Sequence, residues 1–157
     1  MAISQSMCTS FKAEILLAVH DFRSTGGDTF KLAMYTSSAT IDANSTAYSA
    51  TNEVSSANYT AGGGTLVNLG VTASNTNATA GTGFVDFTDL TFTNVTLTAR
   101  GALIYNTTPS ANGTANTTLT NAAVAVLDFG ADKTVTAGDL TIIFPAAANT
   151  TAVLRIV

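Results

Sequence analysis

Two uninterrupted runs constrain the fold of this chain more than any other feature: Thr98-Ala99-Arg100-Gly101-Ala102-Leu103-Ile104-Tyr105-Asn106 and Ala123-Val124-Ala125-Val126-Leu127-Asp128-Phe129-Gly130. Each is rich in aliphatic, β-branched or aromatic residues and is bounded by Gly, Asn or Asp, the composition of a strand with turn residues at its ends. Neither supplies a nucleophile, a base or a cluster of metal ligands. The chain is built to pack rather than to react.

The same pattern recurs from residue 29 onward. Thr29 to Tyr35 alternates, with Phe30, Leu32 and Met34 on one face and Lys31, Ala33 and Tyr35 on the other. Further strands are predicted at Leu66–Val71, Gly83–Phe87, Thr91–Tyr105 (bent or split), Ala123–Phe129, Leu140–Phe144 and Thr151–Val157. Loops made almost entirely of Asn, Thr, Ala, Ser and Gly interrupt them at 72–82 and 106–121. Residues 36–64 form a long polar connection holding Tyr48, Glu53-Val54, Tyr59 and Gly62-Gly63-Gly64, and a connection of that length points to a functional or partner-ordered loop.

Only residues 6–22 carry helical periodicity. Met7, Phe11, Ile15, Ala18 and Phe22 fall on one stripe at about 100° per residue, widened by Cys8 and Val19. Ser4 or Ser6 is placed to cap this helix, and Gly26-Gly27-Asp28 ends it. Leu17 stands among the polar residues of the opposite face, which includes His20. Short strands, polar loops and a single helix predict a mainly β fold: an antiparallel β-sandwich, of which a jelly roll is one form, with one N-terminal amphipathic helix. At 157 residues one domain is expected over 1–157, with helix and turn in 1–25 and the sandwich in 26–157.

Charge narrows the classes of partner. Charged residues make up 10% of the chain, against about 25% in an ordinary domain. A surface this poor in charge resists association weakly, so a homo-oligomer or larger assembly is expected. Lys12, Arg23, Lys31, Arg100, Lys133 and Arg155 are scattered, and the net charge is -4, so direct nucleic-acid binding is not expected. No basic region precedes the apolar stretch Ile15 to Val19, which is far short of the roughly 18 residues a membrane span needs, so neither a secretory signal nor a membrane role is expected. The eight Asn-X-Ser/Thr triplets, among them Asn106-Thr107-Thr108, follow from a composition that is roughly a fifth threonine. The last strand places Ala152, Leu154 and Ile156 on one face and Val153, Arg155 and Val157 on the other, two nearly apolar faces that suggest burial between subunits.

The reactive inventory is small. Cys8 and His20, set in one predicted helix, would be separated by about 18 Å and could not form a thiolate pair. That leaves His20 as a surface helix residue and Cys8, the only cysteine, as a small buried hydrophobe. Asp86 with Asp89, or Asp128 with Asp132, are the pairs that could share a cation, but neither has the spacing of a calcium loop, and turn or cap roles explain them. Asp128-Phe129-Gly130 lacks the accompanying kinase segments and reads as a strand followed by a turn. The triple glycine lacks the Lys-Ser or Lys-Thr of a phosphate loop. No catalytic residue, metal site or cofactor is nominated, and an enzyme is not expected.

Four segments together, Ser6–Lys12, Gly27–Tyr35, Tyr48–Val54 with Tyr59–Gly63, and Thr98–Tyr105, resemble a family of small structural proteins of tailed phages, including cyanophages and marine phages. The loops at 72–82 and 106–121 are longer than that pattern. The resemblance implies a virion protein made in the host cytoplasm and carried on the capsid surface. Its expected role is that of a cement or decoration protein, a homotrimer that binds the major capsid protein after shell assembly. The expected contacts are Leu17, Tyr48, Tyr59, Val153, Arg155 and Val157. Two other roles stay open: a tail or neck component, such as an adaptor or fibre attachment domain, and a carbohydrate-binding host-attachment module with Tyr35, Tyr48, Tyr59 or Tyr105 stacking on sugars. The absence of tryptophan weighs against the last.

Overall fold

A computed structural model describes residues 3–74, 81–111, 114–115 and 118–157. The alternating and continuous apolar runs become strands: β1 (Ser6–Met7), β2 (Phe30–Tyr35), β3 (Gly64–Thr65), β4 (Asn68–Ser74), β5 (Thr82–Phe87), β6 (Leu90–Asn106), β7 (Ser110–Ala111), β8 (Thr114–Ala115), β9 (Ala122–Ile142) and β10 (Leu154–Ile156), with one helix, α1 (Thr9–Leu16), after β1. They form a five-stranded sheet in the order β1-β9-β6-β2-β3, a three-stranded sheet in the order β10-β5-β4, and the small β7-β8 pair. Every pairing in them is antiparallel.

The two larger sheets meet through aromatic rings. Phe30 of β2 lies 5.8 Å from Phe87 of β5, stacks on Phe22 at 4.3 Å, and Phe87 in turn contacts Phe144 at 5.8 Å. Leu32, Ala33, Met34, Ala102, Leu103, Ile104 and Val124 are fully buried in the middle of the five-stranded sheet. Both faces of β2 are therefore inside, because residues 52–59 fold back on it. The amide of Val54 bonds the carbonyl of Met34, that of Thr36 bonds the carbonyl of Asn52, and the Tyr59 hydroxyl accepts from the Met34 N–H.

The helix is shorter than its stripe predicts. Ser6 and Met7 pair with Val126 and Ala125 as a strand, and Cys8 is the N-cap without a side-chain bond, so neither Ser4 nor Ser6 caps α1. At the other end Ala18 turns left-handed at φ 56. The Val19 N–H then bonds the Glu14 carbonyl and the Ala18 N–H that of Ile15, the two bonds of a Schellman closure. Val19 and Phe22 remain buried, but from irregular chain beyond the helix. An apolar stripe cannot distinguish those two cases.

The segment predicted as a strand at Ala123–Phe129 and the first three residues of that predicted at Leu140–Phe144 are parts of one 21-residue strand, β9, and Ile143 and Phe144 lie beyond its end. Gly130, at φ 74, and Ala137, at φ 46, are irregularities within it rather than turns, so Asp128-Phe129-Gly130 does not end a strand. Its partner β6 is a single bent strand of 17 residues with register shifts at four places. Beyond Ala99 this ribbon buries Val95 and Leu97 on one side, while cross-strand threonine pairs, Thr91 with Thr141 and Thr98 with Thr134, bond at 2.8 Å. Of the loop predicted at 72–82, residues 75–80 lie outside the described residues. Of that at 106–121, residues 112–113 and 116–117 do. Among the described residues no helix is long and apolar enough to cross a membrane.

Candidate interaction surface

Aliphatic side chains that the core does not take up define the candidate site. Leu16 and Leu17 at the end of α1 are 87% and 70% exposed. Val67, Leu69 and Val71 on and beside β4 are half or more exposed, as are Ile143, Ile156 and Val157 near β10. The Schellman turn produces the first pair: α1 stops before its last turn can be covered, leaving two consecutive leucines in water.

Two apolar clefts separate these groups. One, of about 550 Å³, opens where the β1–β9 edge faces β10, and is lined by Leu127, Phe129, Ile142, Ile143, Val153 and Val157 among others. The second, of about 200 Å³, lies between α1 and the three-stranded sheet, over Phe11, Ile15, Phe22, Val85 and Leu154, with Val71 and Ile156 at its margin. Neither β4 nor β10 has a strand partner on its outer side among the described residues, and the β4 side is flanked by the chain that follows α1, where Asn68 Nδ2 donates to the Phe22 carbonyl at 3.0 Å.

The six expected contact residues divide. Leu17, Arg155 and Val157 are exposed, and Val153 is half-buried with its N–H on the Asp86 carboxylate. The Arg155 guanidinium donates to the carbonyls of Asn149 and Thr150. Ile156 and Val157 remain exposed, so the last strand is not enclosed on both faces. Tyr59, in contrast, is 7% exposed and lies in the core, and Tyr48 stacks on Tyr105 at 4.8 Å. Neither stands clear of the domain as a contact side chain would.

Those tyrosines belong to a cluster around Glu53. Tyr48 donates to Oε2 at 2.6 Å, Tyr59 to Oε1 at 2.7 Å, and the Gly62 N–H to Oε1 at 2.8 Å. Tyr105 donates to the Gly62 carbonyl and Tyr35 to that of Ser49. Burial, reinforced by the Glu53 charge, pushes the Tyr105 phenol up to about 12 and raises Tyr35, Tyr48 and Tyr59 further above the ordinary phenol range. Tyr35, Tyr59 and Tyr105 are buried and present no ring face to a sugar, while Tyr48 is half-buried and stacked on Tyr105. The 36–64 connection is likewise packed, with Ala39, Ile41, Val54 and Tyr59 buried.

His20 is the second departure from the sequence. Its side chain is fully buried rather than on a helix surface. The Asn106 carbonyl oxygen accepts from the Thr108 N–H, which turns its NH₂ toward His20 Nδ1, 2.9 Å away, and Asp28 Oδ2, 2.7 Å away. Nδ1 is then an acceptor, and the ring proton sits on Nε2, 2.7 Å from Glu14. Asp28 also accepts from Ser110 and from the Asp21 N–H. This network ties α1 to the end of β6. Nothing in local sequence signals it, because Asn106 stands in a polar stretch and His20 is 86 positions away.

Cys8, Asp86, Asp89 and Asp128 are each engaged within the domain. Cys8 is buried, and burial with Asp42 nearby pushes its thiol up to about 11. Asp86 accepts from the Phe87 and Val153 N–H groups, and Asp89 from that of Phe144. Asp128 pairs with Arg100 at 3.3 Å and accepts from the Gly130 N–H. No protein-family model matches the chain, and no curated protein or solved structure is significantly similar to it.

Proposed function

We propose that the chain is a virion structural protein of a tailed phage, a cement or decoration protein that binds the assembled head and stabilises it. One observation carries this reading: in a chain with 10% charged residues, eight large aliphatic side chains stand half or more exposed among the described residues. Large apolar side chains rimmed by uncharged polar ones suit a broad contact with another protein surface. The resemblance of Ser6–Lys12, Gly27–Tyr35 and Thr98–Tyr105 to phage structural proteins supports the class of partner. The partner is the major capsid protein, and the protein acts as a homotrimer on the capsid surface. A ligand that binds only the assembled lattice stabilises it by mass action.

The Leu16–Leu17 end of α1 and the cleft beside it are the proposed contact, in place of the Tyr48–Gly64 segment, whose aromatics are used internally. Purified protein added to phage shells lacking it should occupy many lattice sites by electron microscopy and raise the temperature at which shells rupture. Leu17→Asp should lower that occupancy while the free protein stays folded. β4 and β10, which end the three-stranded sheet without a further strand partner among the described residues, favour one second reading, a tail or neck component stacked in a ring. Density confined to a single vertex would select it.

A further inference from the structure

Arg155 is the one arginine of the three with no carboxylate partner among the described residues. Arg23 pairs with Asp21 and Arg100 with Asp128. Arg155 instead donates from Nη1 to the carbonyls of Asn149 and Thr150, at 3.4 and 2.7 Å. Those bonds brace the guanidinium without cancelling its charge, and Nε and Nη2 make no bond among the described residues. The same residue lines the cleft of about 550 Å³ between the β1–β9 edge and β10, where no other charged residue does.

The wall of that cleft is apolar. Met7, Leu127, Phe129, Ile142 and Val153 pack on the core but are only half-buried, so each keeps surface toward the recess. Strand alternation sets Val153, Arg155 and Val157 on one side of the last strand, with Leu154 buried on the other. We infer that the cleft binds an aliphatic carboxylate: its hydrocarbon chain lies on Phe129, Ile142 and Val153, and its carboxylate accepts from the Nε–H and Nη2–H groups of Arg155.

Size and charge select this class of ligand. Small-molecule sites run to about 300–1,000 Å³ and set a few polar groups in an apolar wall, as here. A half-buried wall is reached by a thin chain that enters the recess, whereas a flat protein face would rest on Ile143 and Val157, its most exposed large apolar members at 76% and 86%. The guanidinium fork matches a carboxylate in shape as well as in charge, and it repels a cationic head group. Each methylene buried should tighten binding about fourfold until the recess is full. Leu16 and Leu17 are not among the lining residues, so the inference does not rest on the shell contact.

Calorimetric titration of the free protein with hexanoate, octanoate and decanoate, each below its micelle concentration, tests this without any phage shell, so a failure here and a failure to bind shells are separate results. Octanoate should bind saturably at one site per chain and about fifteenfold more tightly than hexanoate, which is two methylenes shorter. Octyltrimethylammonium should not bind. Arg155→Gln, at an exposed position, should weaken octanoate about tenfold and leave the binding of 1-octanol unchanged. Side-chain NMR shifts should move at Phe129, Ile142 and Val153 rather than at Phe11, Ile15 and Val85 beside α1. The inference is overturned by any of four results: no saturable binding of decanoate, equal binding of octyltrimethylammonium, an Arg155→Gln protein that binds octanoate like the wild type, or shifts confined to the α1 cleft. Shifts at Phe129 and Ile142 that follow protein concentration instead of ligand would mean that a second copy fills the recess, and would overturn it too.

Discussion

The hydroxyl of Tyr59 lies 2.7 Å from Oε1 of Glu53, and this bond closes the long connection between β2 and β3. Glu53 also receives Tyr48 and the Gly62 N–H, so three donors depend on one carboxylate. Glu53→Ala leaves them without an acceptor in a partly buried site, at a cost of about 3 kcal/mol. Glu53→Gln keeps one acceptor oxygen and is expected to lose less. Urea unfolding of the two variants measures the difference; equal midpoints for wild type and Glu53→Ala would remove Glu53 as the closure.

The phenols give the protein a limit in alkali. Their folded pKa values lie above the unfolded value of about 10, that of Tyr105 at about 12, so the neutral form is favoured by folding. Stability from this source is complete below pH 10 and is lost as pH rises through and beyond 12. Absorbance at 295 nm should show no tyrosinate at pH 10.5, then a rise that coincides with loss of the far-ultraviolet β signal. A separate tyrosinate step well before unfolding would contradict the buried cluster.

Ala18 holds a position that glycine fills at less strain. At φ 56 an L-residue with a Cβ is disfavoured, so Ala18→Gly should stabilise the fold by about 0.5–1 kcal/mol, the reverse of glycine's usual effect near a helix. A rise in melting temperature of a few degrees is the expected result, and a fall would show that the turn relaxes away from the left-handed region.

Asn106 is fully buried and joins His20, Asp28 and the Thr108 N–H. Asn106→Ala removes both donors and the acceptor, at an expected cost of about 3 kcal/mol. Hydrogen exchange should show the α1 and residue 19–29 amides losing protection together. Protection lost at random across β6 would point to a packing defect instead.

Phe30 to Tyr35 and Gly101 to Tyr105 are legible in sequence because alternation or continuous apolar character has only one stable use when flanked by turn residues. Residues 130–139 are not, because Gly130 and Ala137 break the period while the backbone stays in the sheet. Val19 and Phe22 complete a convincing helical stripe without being helical, since burial and periodicity coincide there by tertiary packing. The Glu53 cluster left one faint trace, a lone glutamate among tyrosines in a chain with little charge. Leu17 stood out as the apolar residue that no internal face claimed, and it is 70% exposed. That β4 and β10 end the three-stranded sheet was beyond reach, because strand order is set by contacts between distant segments.

β1 has a consequence for biosynthesis. Ser6 and Met7 pair with Val126 and Ala125, so the first strand made waits for residues about 120 positions later. At 5–20 residues per second that delay is on the order of ten seconds, during which the central strand has no edge to receive it and α1 has no sheet to rest on. The chain therefore cannot complete this sheet until residues 125–126 have been made. Its yield in a cell depends on how well that unguarded, weakly charged intermediate is kept from its neighbours.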